Sequence, residues 1–268
     1  MRSLKLRLLL AYNGSGFRGF ALNPGVHTVA GVLTVALERY LSQEISLVCA
    51  GRTDAGVHAW GQVVSFEVDT TSEVSLLDLQ KLRDSINKMC GPEVAVREVA
   101  WATDDFDARR SATERTYRYN ICNHPVANPL TAHMTWHIAA PLNIDAMNQA
   151  AQHILGEHDF ASFCRRAENK SMVRRVNRAV WWRSATNNSS SATSPDSPEI
   201  AQEMTVLEIA ASSFCHQMVR SLVGTFVEIG QGKRSPEAMA EILAARNRQA
   251  AANLAPPKGL CLWEVAFA

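Results

Sequence analysis

The sequence predicts an α+β fold made of two similar halves, the first of them in the ferredoxin-like (RRM-like) order. Three observations carry that prediction. Residues 1–101 read strand, helix, strand, strand, helix, strand from their apolar periods, which is the ferredoxin-like order. The remainder repeats the same strand-rich style with insertions. A chain of 268 residues that is 47% hydrophobic has material for two cores. The division is expected at residues 1–104 and 105–268, with a cleft between the halves.

The chain opens with Leu4, Leu6, Leu8, Leu10 and Tyr12 alternating with Lys5 and Arg7, a strand pattern. Gly14-Ser15-Gly16-Phe17-Arg18-Gly19 follows. It matches the dinucleotide-binding spacing, but Asn23-Pro24-Gly25 separates it from the helix that Thr28 caps, so no helix N-terminus rises out of the glycines. A glycine turn that supports the loop around Asp54 is the better reading. Val29, Val32, Leu33, Ala36, Leu37 and Tyr40 form the apolar face of the first helix. Ile45 to Cys49 and Val63 to Val68 are two strands joined by a long loop. Ser75 is placed to cap a second helix with a stripe of Leu79, Leu82, Ile86 and Met89. Cys90-Gly91-Pro92 ends it, and Val94 to Trp101 is a strand.

In the second half, Arg115 to Ile121 alternates as a strand with Tyr117, Tyr119 and Ile121 on one face. Asn143 caps a helix (Ile144, Met147, Ala151, Ile154) that ends at Gly156, and Glu157-His158-Asp159 reads as a structural turn. Val173 to Trp182 and Met204 to Ala210 are strands. Residues 184–198, rich in Ser, Thr, Asn and Pro, read as a mobile loop. Phe214, Met218, Leu222 and Phe226 make a helix stripe, with Arg220 the only cation on that helix. Ser235-Pro236 is a cap and first-turn proline for a fifth helix, and Leu260 to Phe267 is the last strand.

Net charge is only +1, so bulk charge does not announce a polyanionic partner, but its distribution is uneven. Arg109, Arg110, Arg115 and Arg118 face one acid, Glu114. Arg165, Arg166, Arg174, Arg175, Arg178 and Arg183 with Lys170 face Glu168. Clustered guanidiniums suit phosphate contacts, and aromatics beside them, as at Tyr117 and Tyr119, suit base stacking. Six scattered cysteines without a Cys-x-x-Cys pair argue against a zinc ribbon or a disulfide scaffold and predict reduced thiols in the cytoplasm. Metal binding is not expected. His133 and His137 lack the intervening glutamate of a metalloprotease helix, and Asp104, Asp105 and Asp107 precede arginines in a polar connection. The N-terminal apolar core is too short for a signal peptide, and no apolar run reaches transmembrane length.

The loop Gly51-Arg52-Thr53-Asp54-Ala55-Gly56-Val57-His58 organises the chain. Small residues let its backbone approach a ligand, and it carries one cation, one carboxylate and one histidine. Taken alone, Asp54 reads better as a turn-capping residue paired with Arg52.

That loop, with Gln62 and Phe66, resembles the tRNA pseudouridine synthase A family. So do Phe106-Asp-Ala-Arg-Arg-Ser-Ala112, Arg115-Thr-Tyr-Arg-Tyr119 with Asn123-His124, and Gly156-Glu-His-Asp-Phe-Ala-Ser-Phe163. Phe214-Cys-His-Gln-Met-Val-Arg-Ser-Leu-Val-Gly224 and Ala255-Pro-Pro-Lys-Gly-Leu260 complete the set. The resemblance implies two ferredoxin-like halves whose sheets join into an extended, mainly antiparallel sheet flanked by helices. It also implies a cytoplasmic homodimer, a tRNA substrate contacted in its anticodon arm, and no metal or organic cofactor. By the same resemblance Asp54 is the nucleophile on a flipped-out uridine. Arg52 holds the base out, Tyr117 stacks on it and serves proton removal, and Arg220 pairs with the catalytic carboxylate. RNA contacts are then expected from His58, Arg109, Arg110, Arg115, Arg118, Arg165, Arg174 and Arg175. The family usually carries a Gly-Trp and then an Arg-Gln after its first strand. Here Gly19-Phe20-Ala21-Leu22-Asn23-Pro24 stands instead, in the loop where the family contacts tRNA. The competing readings are a non-catalytic RNA-binding protein, a paralogue with a different RNA target, and a dinucleotide-dependent enzyme built on Gly14 to Gly19.

Overall fold

The computed structural model describes residues 3–69, 77–165, 171–184 and 204–268. Ser75 and nearly all of the Ser-rich stretch 184–198 lie outside those residues. The fold is α+β. Among the described residues, ten strands make a mainly antiparallel open sheet accompanied by five α-helices. The chain divides into two compact units, residues 1–116 with 261–268, and residues 117–260.

The first unit runs β1 (Ser3–Tyr12), α1 (Val29–Leu41), β2 (Val48–Cys49), β3 (His58–Asp69), α2 (Leu79–Cys90) and β4 (Val94–Ala102). Its strand order is β4-β1-β3, with β2 on β3, all antiparallel, which is the ferredoxin-like arrangement. Alternation in β1 puts Leu6, Leu8 and Leu10 wholly inside, opposite Phe66, Val64 and Gln62 of β3. Thr28 caps α1 by accepting from Gly31 N at 3.2 Å. The cap of α2 is Asp78, whose Oδ1 accepts from Gln80 N and Lys81 N at 3.0 Å. An ionised carboxylate there also meets the positive end of the helix. The buried stripe of α2 is Leu82, Ile86 and Cys90, and Met89 is turned outward, one position off the expected face. Only Val48 and Cys49 of the expected strand 45–49 pair in the sheet. The last strand, β10 (Leu260–Phe267), returns to this unit. It pairs in parallel with β3 at Cys261↔His58 and Leu262↔Ala59.

The second unit contains the rest of β5 (Ala112–Cys122), then β6 (Trp136–His137), α3 (Ile144–Gln152) and β7 (Gly156–Asp159). It continues through β8 (Val173–Ser184), β9 (Met204–Ala211), α4 (Met218–Gly230) and α5 (Ala238–Ala245). The strands follow the order β5-β9-β8-β7. The core packs Trp181 of β8 edge-on against Phe226 of α4 at 5.6 Å. Gly224 lets α4 meet the Asn253 carbonyl, which a Cβ would overlap.

Five sequence expectations need correction in this unit. Glu157-His158-Asp159 is no turn but an edge strand paired with Arg175, Arg174 and Val173. Asn143 does cap α3, yet the helix stops at Gln152, and Gly156, at φ +89°, begins β7. Phe214 lies before α4, not on it. Residues 235–237 form a turn ahead of α5, in which Ala238 N donates to Ser235 O and Met239 N to Pro236 O. Among the six cysteines, Cys164 and Cys215 are joined in a disulfide with Cα atoms 5.8 Å apart. A spacing of 51 residues gives no local sign of that pairing. Cys49, Cys90, Cys122 and Cys261 take part in no disulfide.

Candidate active site

Arg52, Thr53 and Asp54 lie in the first unit between β2 and β3. Arg52 is exposed, Thr53 buried and Asp54 half-buried. Thr53 is the inward residue, with the exposed Arg52 on one side and the partly covered Asp54 on the other. Thr53 Oγ1 and the Tyr12 hydroxyl share a 2.8 Å hydrogen bond. Gln62 Nε2 donates to Gly51 O at 2.7 Å and to the Tyr12 hydroxyl at 3.4 Å. Burial pushes the Tyr12 phenol far above its ordinary pKa, and the hydrogen bonds with Thr53 and Gln62 offset only part of that.

The Gly14–Phe20 segment braces the loop from another direction. Phe20 N donates to Thr53 O at 3.1 Å, and Gly56 N donates to Phe17 O at 3.2 Å. Val57 N closes the turn on Asp54 O at 3.1 Å. A Cβ at Gly14 would overlap the Val57 carbonyl. At Gly19, where φ is +104°, it would press to 3.1 Å from Thr53 O. Glycine is needed at both places because another backbone comes so close. Residues 14–16 form only a 3-10 turn, and the first α-helix opens at Val29. The glycine-to-helix junction of a dinucleotide site is therefore not formed, and the glycines serve the Asp54 loop, as the sequence suggested.

Two of the residues expected to contact RNA are buried in the protein. His58 is 8% exposed and its Nδ1 accepts from Gly14 N at 3.1 Å. Arg115 is also 8% exposed. Its guanidinium donates to Ala50 O at 3.2 and 2.9 Å, to Ala112 O at 2.8 Å and to Arg109 O at 2.7 Å. The rigid fork of five N–H donors suits this task, tying three carbonyls through one side chain. Arg115 clamps the entry of the loop to segment 109–112.

Arg109 and Arg110 are exposed, and both backbone N–H groups donate to Asp107 Oδ1 at 2.8 Å, an Asx turn. Burial raises the Cys49 thiol pKa, opposed by the positive charges of Arg52 and Arg109, so both cations act on one spot beside the loop. Among the described residues no group of three or more His, Cys, Asp or Glu is placed to hold a metal.

The remaining predicted residues belong to the second unit. Tyr117, 8% exposed, meets Phe214 edge-on at 5.2 Å. Arg220 is half-buried on α4. Its Nε donates to Ala255 O at 2.8 Å, and Ala255 N donates back to Arg220 O at 3.1 Å, which fixes the start of the Ala255–Gly259 loop. Arg118 and Arg178 share the Glu208 carboxylate at 2.8 and 2.9 Å. Arg165 and Arg175 are exposed, the latter 3.9 Å from Glu157. Arg174 donates to Ser171 O and Val173 O. Thr53 and Tyr12 were passed over in the sequence, where one is a lone hydroxyl between two charges and the other ends a leucine strand. An uncharged side chain between two charged ones is the signal that marks Thr53.

A family profile described as tRNA pseudouridine synthase matches residues 150–268. The chain is 40% identical over 263 residues to a protein of Brevibacillus brevis named tRNA pseudouridine synthase A, covering 98% of this chain and 99% of that one. Like-named proteins of Moorella thermoacetica and Geobacter sulfurreducens are 39% and 36% identical. The first covers 98% of this chain and 99% of its own length, and the second covers all of both.

Proposed function

The chain belongs to the tRNA pseudouridine synthase A family, and from that premise we propose that it converts uridine to pseudouridine in the anticodon arm of tRNA with Asp54 as the nucleophile. Family membership makes it an isomerase acting on tRNA. The reaction breaks the bond from the sugar to N1 of uracil and makes one to C5. C5 loses a proton and N1 gains one, so no atoms are added and no oxidant is needed. The base must first leave the helical stack, at a cost of a few kcal/mol. A single carboxylate that attacks the released uridine splits one hard step into two easier ones.

The observation that best supports Asp54 is its presentation. It is half-buried in a loop whose preceding residue, Thr53, is buried and hydrogen-bonded, and which two glycines brace. Arg52, beside it, is free of burial and suits an everted base. Tyr117 and Arg220 complete the proposed catalytic set. The exposed Arg109, Arg110, Arg165 and Arg175, with Arg118 and Arg174, are the proposed RNA contacts, whereas His58 and Arg115 support the loop from inside. A cytoplasmic homodimer acting on one tRNA completes the reading. Among the described residues no helix is long and apolar enough to cross a membrane.

The test is pseudouridine formation on anticodon-arm RNA by purified protein. Wild type should form product and Asp54→Asn none, with tRNA binding retained. An Asp54→Asn variant as active as wild type sinks the assignment. Salt-sensitive binding without any product from wild type would favour the non-catalytic RNA-binding alternative. Light scattering that returns a monomer with and without tRNA would remove the homodimer.

A further inference from the structure

We propose that Thr53 is a positioning residue, and that Tyr12 and Gln62 form the socket that holds it so that the adjacent Asp54 carboxylate is aimed. The proposal rests on the reading of Asp54 as nucleophile.

Three buried polar side chains meet where a hydrophobic core would serve stability equally well. Gln62 has no exposure, Tyr12 is 5% exposed and Thr53 6%. Buried polar groups cost free energy unless they are paired, and here they pair with one another. The Tyr12 hydroxyl binds Thr53 Oγ1, and Gln62 Nε2 reaches both that hydroxyl and Gly51 O. Gln62 is itself oriented, because its Oε1 accepts from Val63 N at 3.2 Å. The network thus grips the chain at residue 51 and at residue 53, on either side of Arg52. Phe20 N holds the Thr53 carbonyl from a second direction. With residue 53 fixed by side chain and backbone together, Asp54 keeps only its own few torsions. Threonine suits this task because a β-branched side chain has a restricted χ1, so its methyl and hydroxyl are committed together. The socket is also neutral. Burial keeps Tyr12 protonated through the working pH range, so no second anion competes with Asp54.

The experiment compares Thr53→Val, Tyr12→Phe, their double variant and Thr53→Ser, with kcat and KM measured on a tRNA transcript and normalised to the folded fraction. Loss of aim should lower kcat roughly 10- to 100-fold in each single variant. KM should stay within about twofold, because the interaction lost is felt in the transition state. The double variant should fall no further than the worse single one, since both cut one network. Thr53→Ser, which keeps the hydroxyl, should recover most of the lost turnover. A fall that disappears on correcting for folded fraction overturns the proposal, as does a change carried by KM or a valine variant equal to serine. A wild type with no product would fail at the premise instead.

Discussion

Arg115 offers the sharpest test of how the loop is built, because its buried hydrogen bonds and its place in a basic cluster point to different work. The perturbation is Arg115→Met, which keeps an apolar stem of similar reach and removes the fork. Four N–H···O contacts to Ala50, Ala112 and Arg109 are lost, and three carbonyls are left to find other partners. A net hydrogen bond to a charged group contributes about 1.5–3 kcal/mol, and the carbonyls can recover part of their solvation through water. The expected loss is about 3–5 kcal/mol, large for a single substitution and tied to a broken buried network. For a chain of this size that lowers Tm by roughly 10 °C. Arg115→Lys should recover only part of the loss, because an ammonium cannot span three carbonyls with fixed geometry. The assay is thermal unfolding by circular dichroism, beside tRNA binding over a salt series. A variant with unchanged Tm whose salt dependence of tRNA binding drops by about one contact would refute the framing role and restore Arg115 to the RNA surface.

Other predictions follow from the same geometry. Gly14→Ala must displace the Val57 carbonyl, so it should cost about 1–3 kcal/mol and much of the turnover, measured by melting and by pseudouridine yield. Gly51→Ala, with open space around it and no positive φ, should stay within about 0.5 kcal/mol of wild type, and equal effects would refute the bracing argument. The Lys81 and Gln80 N–H groups hold the Asp78 carboxyl below its ordinary pKa. Because the folded pKa is the lower one, this stabilisation is present above the unfolded value and is lost as pH falls through the folded value. Wild type should therefore melt higher than Asp78→Asn at neutral pH, and the gap should close on acidification. A gap independent of pH would count against it. Thiol titration of the unfolded, unreduced chain should find four reactive groups, against six after reduction. Six before reduction would exclude the Cys164–Cys215 bond.

Local chemistry was legible in the sequence wherever the deciding partner lies a few residues away. The leucine alternation of β1, the caps at Thr28 and Asn143 and the closing strand 260–267 all rest on such short-range signals. Even the support of the Asp54 loop by the first glycines could be anticipated, because an absent helix start ruled out the other use for them. Where two local signals competed, the reading slipped. Asp78 took the cap expected at Ser75, and residues 157–159 became a strand because a neighbour, β8, offered its edge.

The sequence by itself determined most of the longer helices and strands, the α+β class, the family, and the run of residues in which Arg52 and Asp54 sit. The tertiary structure alone decided which way the important side chains point. Arg115 reads as one more member of a basic cluster until the Ala50 carbonyl, 65 positions earlier, is found against it. Thr53 gains its meaning from Tyr12, 41 positions away, and Gly61 from the Trp263 carbonyl of a strand that comes back parallel to β3. The physical reason is range. Helix period, strand alternation and capping are written in neighbouring residues. Burial and hydrogen-bond pairing are settled only when distant segments are packed and each buried polar group must find its partner.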